Sequence, residues 1–317
     1  MTPDTEPTTA RDDAPSPAGR RGPLRRAVRV AWIAVLVAAL GWALRSRWAE
    51  VSDQLATLDL WLLVAATGVG LVGVGLSAGI WHAMLHGIGE PLPAAASLRI
   101  FFVGQIGKYV PGAVWPAVTQ AALAREHGVA PRASVTAVTL FLWVHLLTGA
   151  ALGIVVLVAT DDLPVWSLAV LPALVALLAP PVLRWTLTRL FELARRAPLR
   201  AMPDGLHLLA ACGWALAMWA CYGVHLQLLT GAVQQPVGPV RAAGVFAASW
   251  FIGFVLLIAP AGVGPREAAM VALLPMSAGA ALLVALVSRL ILTVGDALWA
   301  AVTGVRPRSV RSTPSEG

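Results

Sequence analysis

Residues 98–124 read LRIFFVGQIGKYVPGAVWPAVTQAALA, an apolar stretch that is long enough to cross a bilayer yet is broken in its middle. The break carries two glycines, a proline and the only lysine of the chain: Gly107, Lys108, Pro111 and Gly112. Non-helical backbone survives at membrane depth only where protein buries it or where it lines a wet cavity. We therefore predict two short helices, 94–107 and 113–124, that meet at the GKYVPG tip. The alternative is one spanning helix with a proline kink, from which Lys108 snorkels to the membrane surface.

A second apolar stretch is interrupted in the same way far downstream. Residues 251–275 read FIGFVLLIAPAGVGPREAAMVALLP. The break is marked by residues that disrupt helices: Pro260, Gly262 and Gly264. Arg266 and Glu267 follow at once. Two interrupted apolar segments in corresponding parts of a chain are typical of a transporter's binding site.

The composition predicts an all-α polytopic membrane protein. The chain has 317 residues, of which 58% are hydrophobic and 12% charged, and its mean hydropathy is +0.77. These values exclude a soluble globular domain. The net charge of +7 comes from arginines that cluster beside the apolar segments. That placement fits a membrane topology signal and attraction to anionic lipid, so nucleic acid is not predicted as a partner.

Hydropathy predicts about six to seven spanning helices in addition to the two broken hairpins. The spans that can be bounded are 27–44, 60–85, 133–159, 165–187, 206–230 and 278–303. Arginines precede the first span, follow the last one and fill the loop 184–200, so both tails are predicted to be cytoplasmic. The chain then divides into a disordered N-tail, a single transmembrane domain and a C-tail, which cover residues 1–26, 27–305 and 306–317.

This orientation constrains the second broken stretch. If it dips into the membrane from outside, the C-tail is cytoplasmic; the alternative is that residues 240–259 cross completely. With the hairpin, residues 60–159 and 206–303 each read span, hairpin, span, and the two copies start on opposite sides of the membrane. The sequence thus predicts an inverted repeat, which places a substrate site where the half-helix tips meet.

Four segments resemble the signature of the lysylphosphatidylglycerol synthase transmembrane family: GKYVPGAVW (107–115), PAGVGPREAAMVALL (260–274), SRL (288–290) and Asp296. This bacterial family includes the flippase-like domain of lysyl-phosphatidylglycerol synthases and many stand-alone relatives. The similarity covers about residues 58–305. It implies a flippase-like membrane fold. Many relatives carry an acidic residue early in the helix after the first hairpin, where this chain reads TLFLWVHLLTG, with Trp143 and His145.

Charged residues at membrane depth form the candidate site: Lys108, Arg266, Glu267, Arg289 and Asp296. Such charges usually pair with one another or line a cavity. Arg289 and Asp296 are seven residues apart and share a helix face. Glu267 fits as the partner that holds Arg266 or Arg289. We predict that the three basic residues bind a phosphate headgroup while the two acids orient them; the alternative is a buried structural ion-pair network.

The remaining site residues flank the two breaks. Gln105, Tyr109 and Trp115 are predicted to line the cavity. The residues predicted to shape the tips are Gly107, Pro111, Gly112, Pro260, Gly262 and Gly264. Lys108, as an isolated cation, is predicted to be dispensable for folding. His82 and His86 have a spacing that suits a metal, but no third ligand stands at motif spacing, so neither a metal nor another cofactor is predicted.

These features predict a flippase-like transporter in the cell membrane that moves a phospholipid, or another anionic amphiphile, between leaflets. No catalytic motif is evident, so an enzyme is not predicted. One alternative is a membrane subunit of a cell-envelope lipid glycosyl or aminoacyl transferase. Another is a non-catalytic envelope partner protein. The expected partners are anionic membrane lipids, and a homo-oligomer or an envelope enzyme is left open.

The predicted topology can be tested by cysteine labelling in intact cells. In a chain with Cys212 and Cys221 replaced by alanine, Ser312→Cys should not react with an impermeant maleimide, because the C-tail is predicted to be cytoplasmic. Gln234→Cys lies in a predicted outer loop and should react. Strong labelling at residue 312 would contradict the inverted-repeat topology.

Overall fold

The computed structural model describes residues 41, 45–46, 48–109, 115–193, 201–256 and 264–304. Within these ranges the chain forms helices and no strand. The predicted all-α polytopic membrane fold is therefore confirmed. The α-helices are α1 Trp48–Ala56, α2 Leu60–Gly87, α3 Ala94–Gln105, α4 Trp115–Arg125, α5 Pro131–Ala159, α6 Leu171–Leu178, α7 Pro180–Leu193, α8 Gly205–Ala232, α9 Pro239–Val255, α10 Pro265–Leu273 and α11 Ala278–Gly304.

Four of these helices are long and apolar enough to cross a membrane. They are α2, α5, α8 and α11, with 28, 29, 28 and 27 residues. A helix needs only about 20 residues to cross the hydrocarbon core, so each has a margin for tilt. They match the spans predicted at 60–85, 133–159, 206–230 and 278–303. The predicted first span, 27–44, lies outside the described residues.

The predicted fourth span, 165–187, is not one straight helix. A 3₁₀ segment, Val165–Val170, leads into α6, and α6 and α7 meet at a bend of 67°. Ala179 between them has extended backbone, with ψ of 135°. The cause is Pro180, because a proline disfavours helical backbone in the residue before it. The predicted loop 184–200 is also helical at its start, since α7 continues to Leu193.

A short helix, α1, occupies a segment that hydropathy places in a loop between two spans. It packs against α11, and Val51 on it is buried. The loop after it is ended by Asp59, whose Oδ1 accepts hydrogen bonds from the backbone N–H groups of Trp61 and Leu62 at 2.9 and 3.1 Å. This N-cap fixes where α2 begins.

Helices α2 and α8 form the central pair of the bundle, and the glycines of α2 allow them to approach closely. A Cβ on Gly73 would lie 2.8 Å from the ring of Tyr222, and one on Gly87 would lie 3.1 Å from Cβ of His207. Residue numbers rise along α2 as they fall along α8, so the two helices are antiparallel. Small residues at such contacts are the usual basis of helix packing in lipid.

The first broken stretch is a hairpin. Helix α3 ends at Gln105, a 3₁₀ turn covers Ile106–Tyr109, and α4 packs back against α3. The backbone of Gly107 lies close to the start of α4: a Cβ on it would lie 2.8 Å from both the N of Pro116 and the carbonyl C of Trp115. The interruption is thus confirmed, with arms close to the predicted ones. Pro111 and Gly112, at the predicted tip, lie outside the described residues.

The second broken stretch also folds back on itself. Helix α9 has 17 residues, about 26 Å of rise, and packs against α10. A Cβ on Gly253 would lie 2.7 Å from Cβ of Arg266. Gly264 has a φ of +94°, which favours glycine, and Pro265 opens α10. Pro260 and Gly262 lie outside the described residues.

The two halves of the chain pack in matching ways. Hairpin arm α3 packs on α11, the last long helix of the other half, and arm α9 packs on α5, the last long helix of the first half. The first helices of the two halves are α2 and α8, which run antiparallel. This arrangement supports the predicted inverted repeat of residues 60–159 and 206–303, which stays a prediction.

The close backbone approach at Gly107 predicts that even a small side chain at this position lowers the stability of the protein. Gly107→Ala should destabilise the protein by about 1–3 kcal/mol, because the added methyl meets backbone atoms that cannot rotate away. Gly68→Ala is the matched control. Gly68 lies within α2, and a Cβ added to it would meet no atom within 4 Å, so that change should be neutral or slightly stabilising. Thermal unfolding in detergent measures both; equal melting temperatures would contradict the close hairpin.

Candidate functional site

The first hairpin is tied to the last helix by a charged contact. Lys108 Nζ lies 2.5 Å from Asp296 Oδ2, and the Tyr109 hydroxyl donates a hydrogen bond to the same oxygen at 2.6 Å. The Asp296 side chain is only 8% exposed, whereas that of Lys108 is 35% exposed. A buried carboxylate needs such partners, because desolvation of its charge is costly.

The second hairpin is tied to the same helix by a second ion pair. Arg289 Nη1 donates to Glu267 Oε1 at 2.5 Å. The other oxygen, Glu267 Oε2, accepts a hydrogen bond from the backbone N–H of Gly264 at 2.7 Å. Glu267 therefore both caps the start of α10 and holds Arg289. Of the two partners that the sequence allowed for Glu267, the structure pairs it with Arg289.

Helix α11 connects the two pairs. Arg289 and Asp296 lie two helical turns apart on one face, as their spacing predicts. Arg289 is twelfth among the 27 residues of α11, about 17 Å from its start. The two hairpin tips are thus held at neighbouring levels near the middle of one long apolar helix.

Arg266 is the third basic residue of the cluster, and its environment differs. Its guanidinium carbon lies 4.8 Å from the centre of the Phe246 ring, a cation–π contact. Its Nη2 atom is buried and has no hydrogen-bond partner among the described residues. The charges of Glu267 and Arg289 both act on it. Three basic side chains therefore meet two carboxylates, which leaves the described cluster with an excess of one positive charge.

Most of the predicted site residues are brought together, and two are not part of the charge cluster. Lys108, Tyr109, Arg266, Glu267, Arg289 and Asp296 converge as described. Gln105 is half-buried at the end of α3. Trp115 is 43% exposed at the start of α4. Their predicted role in lining a cavity stays a prediction.

The structure corrects the expectation that Lys108 is an isolated cation. Since Asp296 depends on Lys108 and Tyr109 for its partners, removing the lysine leaves a buried carboxylate without its counter-charge. Lys108→Ala should therefore cost stability as well as any binding function. A test of binding alone needs Lys108 and Asp296 to be neutralised together.

His145 stands out in the sequence only because it lies in a segment where the family resemblance implies an acidic residue and none is present, and no role is predicted for it there. This side chain is 4% exposed and lies against the rings of Trp250 and Trp219, with centroids 3.9 and 4.8 Å away. Lys108 and Arg266 both lie close enough to act on it electrostatically. One histidine in an apolar helix gives no sequence signal of such a position, because the neighbours come from other helices.

The other intramembrane histidines have ordinary hydrogen-bonding roles. His225 contacts the carbonyl of Ala66 at 2.8 Å and the hydroxyl of Ser288 at 3.0 Å, so it joins three helices. His82 Nδ1 lies 2.8 Å from Ser97 Oγ. Within the described ranges, no three potential ligands are grouped as a metal ion would require.

Fold and site together define a polytopic α-helical membrane protein in which two broken hairpins bring charged tips to one spanning helix. The family model described as the lysylphosphatidylglycerol synthase TM region matches residues 27–300. The chain therefore belongs to this family, and the resemblance seen in the signature segments is confirmed. A search of curated proteins finds no match.

The burial of the Glu267–Arg289 pair predicts that the same Glu→Gln change lowers stability much more at Glu267 than at an exposed glutamate. Glu267→Gln should lower stability by about 3 kcal/mol, because it removes the carboxylate charge from a buried ion pair with Arg289. Glu192→Gln breaks the pair with Arg189, whose side chains are 66% and 57% exposed, and should cost less than about 1 kcal/mol. The measurement is thermal unfolding in detergent. If both variants have the melting temperature of the wild type, the ion pair of Glu267 does not stabilise the second hairpin.

Proposed function

We propose that this protein moves a phospholipid, or another anionic amphiphile, between the two leaflets of the cell membrane. The observation that carries the proposal is the excess positive charge of the described cluster, in which residues of both hairpins lie beside α11. A cation at membrane depth is unfavourable unless it pairs or meets a ligand. Lys108 and Arg289 have carboxylate partners, whereas the Nη2 atom of Arg266 has none among the described residues. A headgroup that bears one negative charge would balance the cluster.

The position of the cluster supports transport between leaflets. Transporters built from inverted repeats hold their substrates near the bilayer midplane, at the tips of interrupted helices. Arg289 lies near the middle of α11, and each ion pair joins that helix to one hairpin. A headgroup could pass along this polar region while its acyl chains stay in lipid. Membership of a family named for lipid synthesis fits a lipid substrate but does not by itself identify transport.

Transport is testable with the purified full chain in vesicles. The vesicles contain phosphatidylglycerol with a fluorescent acyl chain, and an impermeant quencher reports how fast the inner-leaflet label moves out. We expect the protein to accelerate this movement at least tenfold over protein-free vesicles. Phosphatidylcholine with the same label should move more slowly, because its headgroup carries no net charge.

Two matched variants connect movement to the cluster. Arg266→Gln should remove most of the acceleration, whereas Arg189→Gln, on an exposed face of α7, should keep it. Vesicles with wild-type protein that exchange label no faster than protein-free vesicles would refute transport. That result would leave a transferase subunit or a non-catalytic envelope partner as the surviving hypotheses.

A further inference from the structure

His145 is buried without hydrogen bonds on either ring nitrogen. Its side chain is 4% exposed, and neither Nδ1 nor Nε2 has a partner among the described residues. Buried polar atoms in proteins are nearly always satisfied, because an unmet donor or acceptor has lost its water without replacement. Such a group needs an explanation, and a bound polar molecule is one that can be tested.

The imidazole is held in place by aromatic rings. Trp250 lies 3.9 Å away between ring centroids, Trp219 4.8 Å and Phe141 5.4 Å. Trp219 is itself fixed, because its indole N–H donates to Thr148 Oγ1 at 3.0 Å. The histidine ring is therefore positioned by packing, and neither of its nitrogens is hydrogen-bonded within the described residues.

Arg266 approaches the same group of rings from α10. Its guanidinium lies over Phe246 at 4.8 Å, and Phe246 lies 6.4 Å from Trp219 between centroids. Arg266 and Lys108 both act electrostatically on His145. Two unsatisfied groups, the Arg266 Nη2 atom and the His145 imidazole, thus belong to one neighbourhood that carries one excess positive charge.

This chemistry selects the ligand class. Aromatic rings alone could receive a quaternary ammonium group, but two nearby cations would repel it. A guanidinium and a neutral imidazole both offer N–H donors, and a phosphate offers several acceptor oxygens with the opposite charge. A phosphodiester carries one negative charge, which equals the excess of the cluster.

We propose that a phosphate group binds between Arg266 Nη2 and His145, which makes His145 a direct ligand of the headgroup. Arg266 donates to one phosphate oxygen, and an imidazole N–H donates to another. Lys108 and Arg289 remain in their ion pairs and shape the site. This inference rests on the proposed function and deepens it, because it assigns the phosphate to one of the three basic residues and adds a histidine from the first half.

The test measures binding to the full chain in detergent, independently of transport. The probes are phosphatidylglycerol, diacylglycerol with the same chains, and inorganic phosphate, each followed by the shift in melting temperature and by titration. His145→Phe keeps an aromatic ring but has no ring nitrogen. His127→Phe is the control, since His127 is exposed in the loop after α4.

We expect His145→Phe to fold and, without ligand, to melt at or above the wild-type temperature, because two unsatisfied buried atoms are gone. Its affinity for phosphatidylglycerol should fall at least tenfold, as should that of Arg266→Gln, while His127→Phe matches the wild type. The double variant should lose little more than either single one, because both contact the same phosphate. Stabilisation by inorganic phosphate that depends on both residues would identify free phosphate as a second source of the group.

Two results would overturn the proposal. One is wild-type affinity for phosphatidylglycerol in His145→Phe, which would mean that His145 is not a ligand of the headgroup. The other is equal stabilisation by diacylglycerol, which has no phosphate. His145→Leu is judged by the same criteria if the phenylalanine variant is not recovered folded. A protein that binds phosphatidylglycerol in this way yet fails to move it in vesicles would refute the proposed function only.

Discussion

The ion pairs of Asp296 and Glu267 are the interactions on which the arrangement of the two hairpins depends. Each carboxylate is nearly inaccessible to solvent and neutralises a basic residue of another helical segment. Because each pair joins two different helical segments, the pairs fix tertiary structure as well as charge. An ion pair within a single helix would also balance charge, but it would not hold two segments together. Here each pair joins one hairpin tip to α11.

Close packing of the backbone makes these pairs possible. The tips reach α11 only because the hairpin arms lie against each other, and glycine permits that approach at Gly107 and Gly253. Glycine also lets α2 and α8 approach closely at the centre of the bundle. Packing without a hydrophobic driving force depends on such contacts in lipid. Small residues thus determine how closely the helices pack, and the charged residues determine which helix each hairpin contacts.

Much of the fold was accessible from the sequence, because hydropathy marks long spans and Gly or Pro marks the places where helices break. The bend at Pro180 could also have been read from the adjacent prolines. The partners of the charges were harder to predict. Spacing placed Arg289 and Asp296 on one face, but nothing local shows that Lys108 meets Asp296. His145 was missed for the same reason, since Trp219 and Trp250, which lie against it, belong to helices that the sequence does not order in space.

The position of both ion-pair anchors on α11 limits how this segment can evolve. An α-helix turns by about 100° per residue, so the insertion or deletion of one residue between 289 and 296 would rotate one anchor away from the other. One hairpin would then face a helix surface without its counter-charge. Residues between the two anchors can be exchanged for other helix-forming apolar residues, whereas an insertion or a deletion would separate the two ion pairs onto different helix faces. The number of residues between Arg289 and Asp296 is therefore constrained more strictly than the identity of those residues.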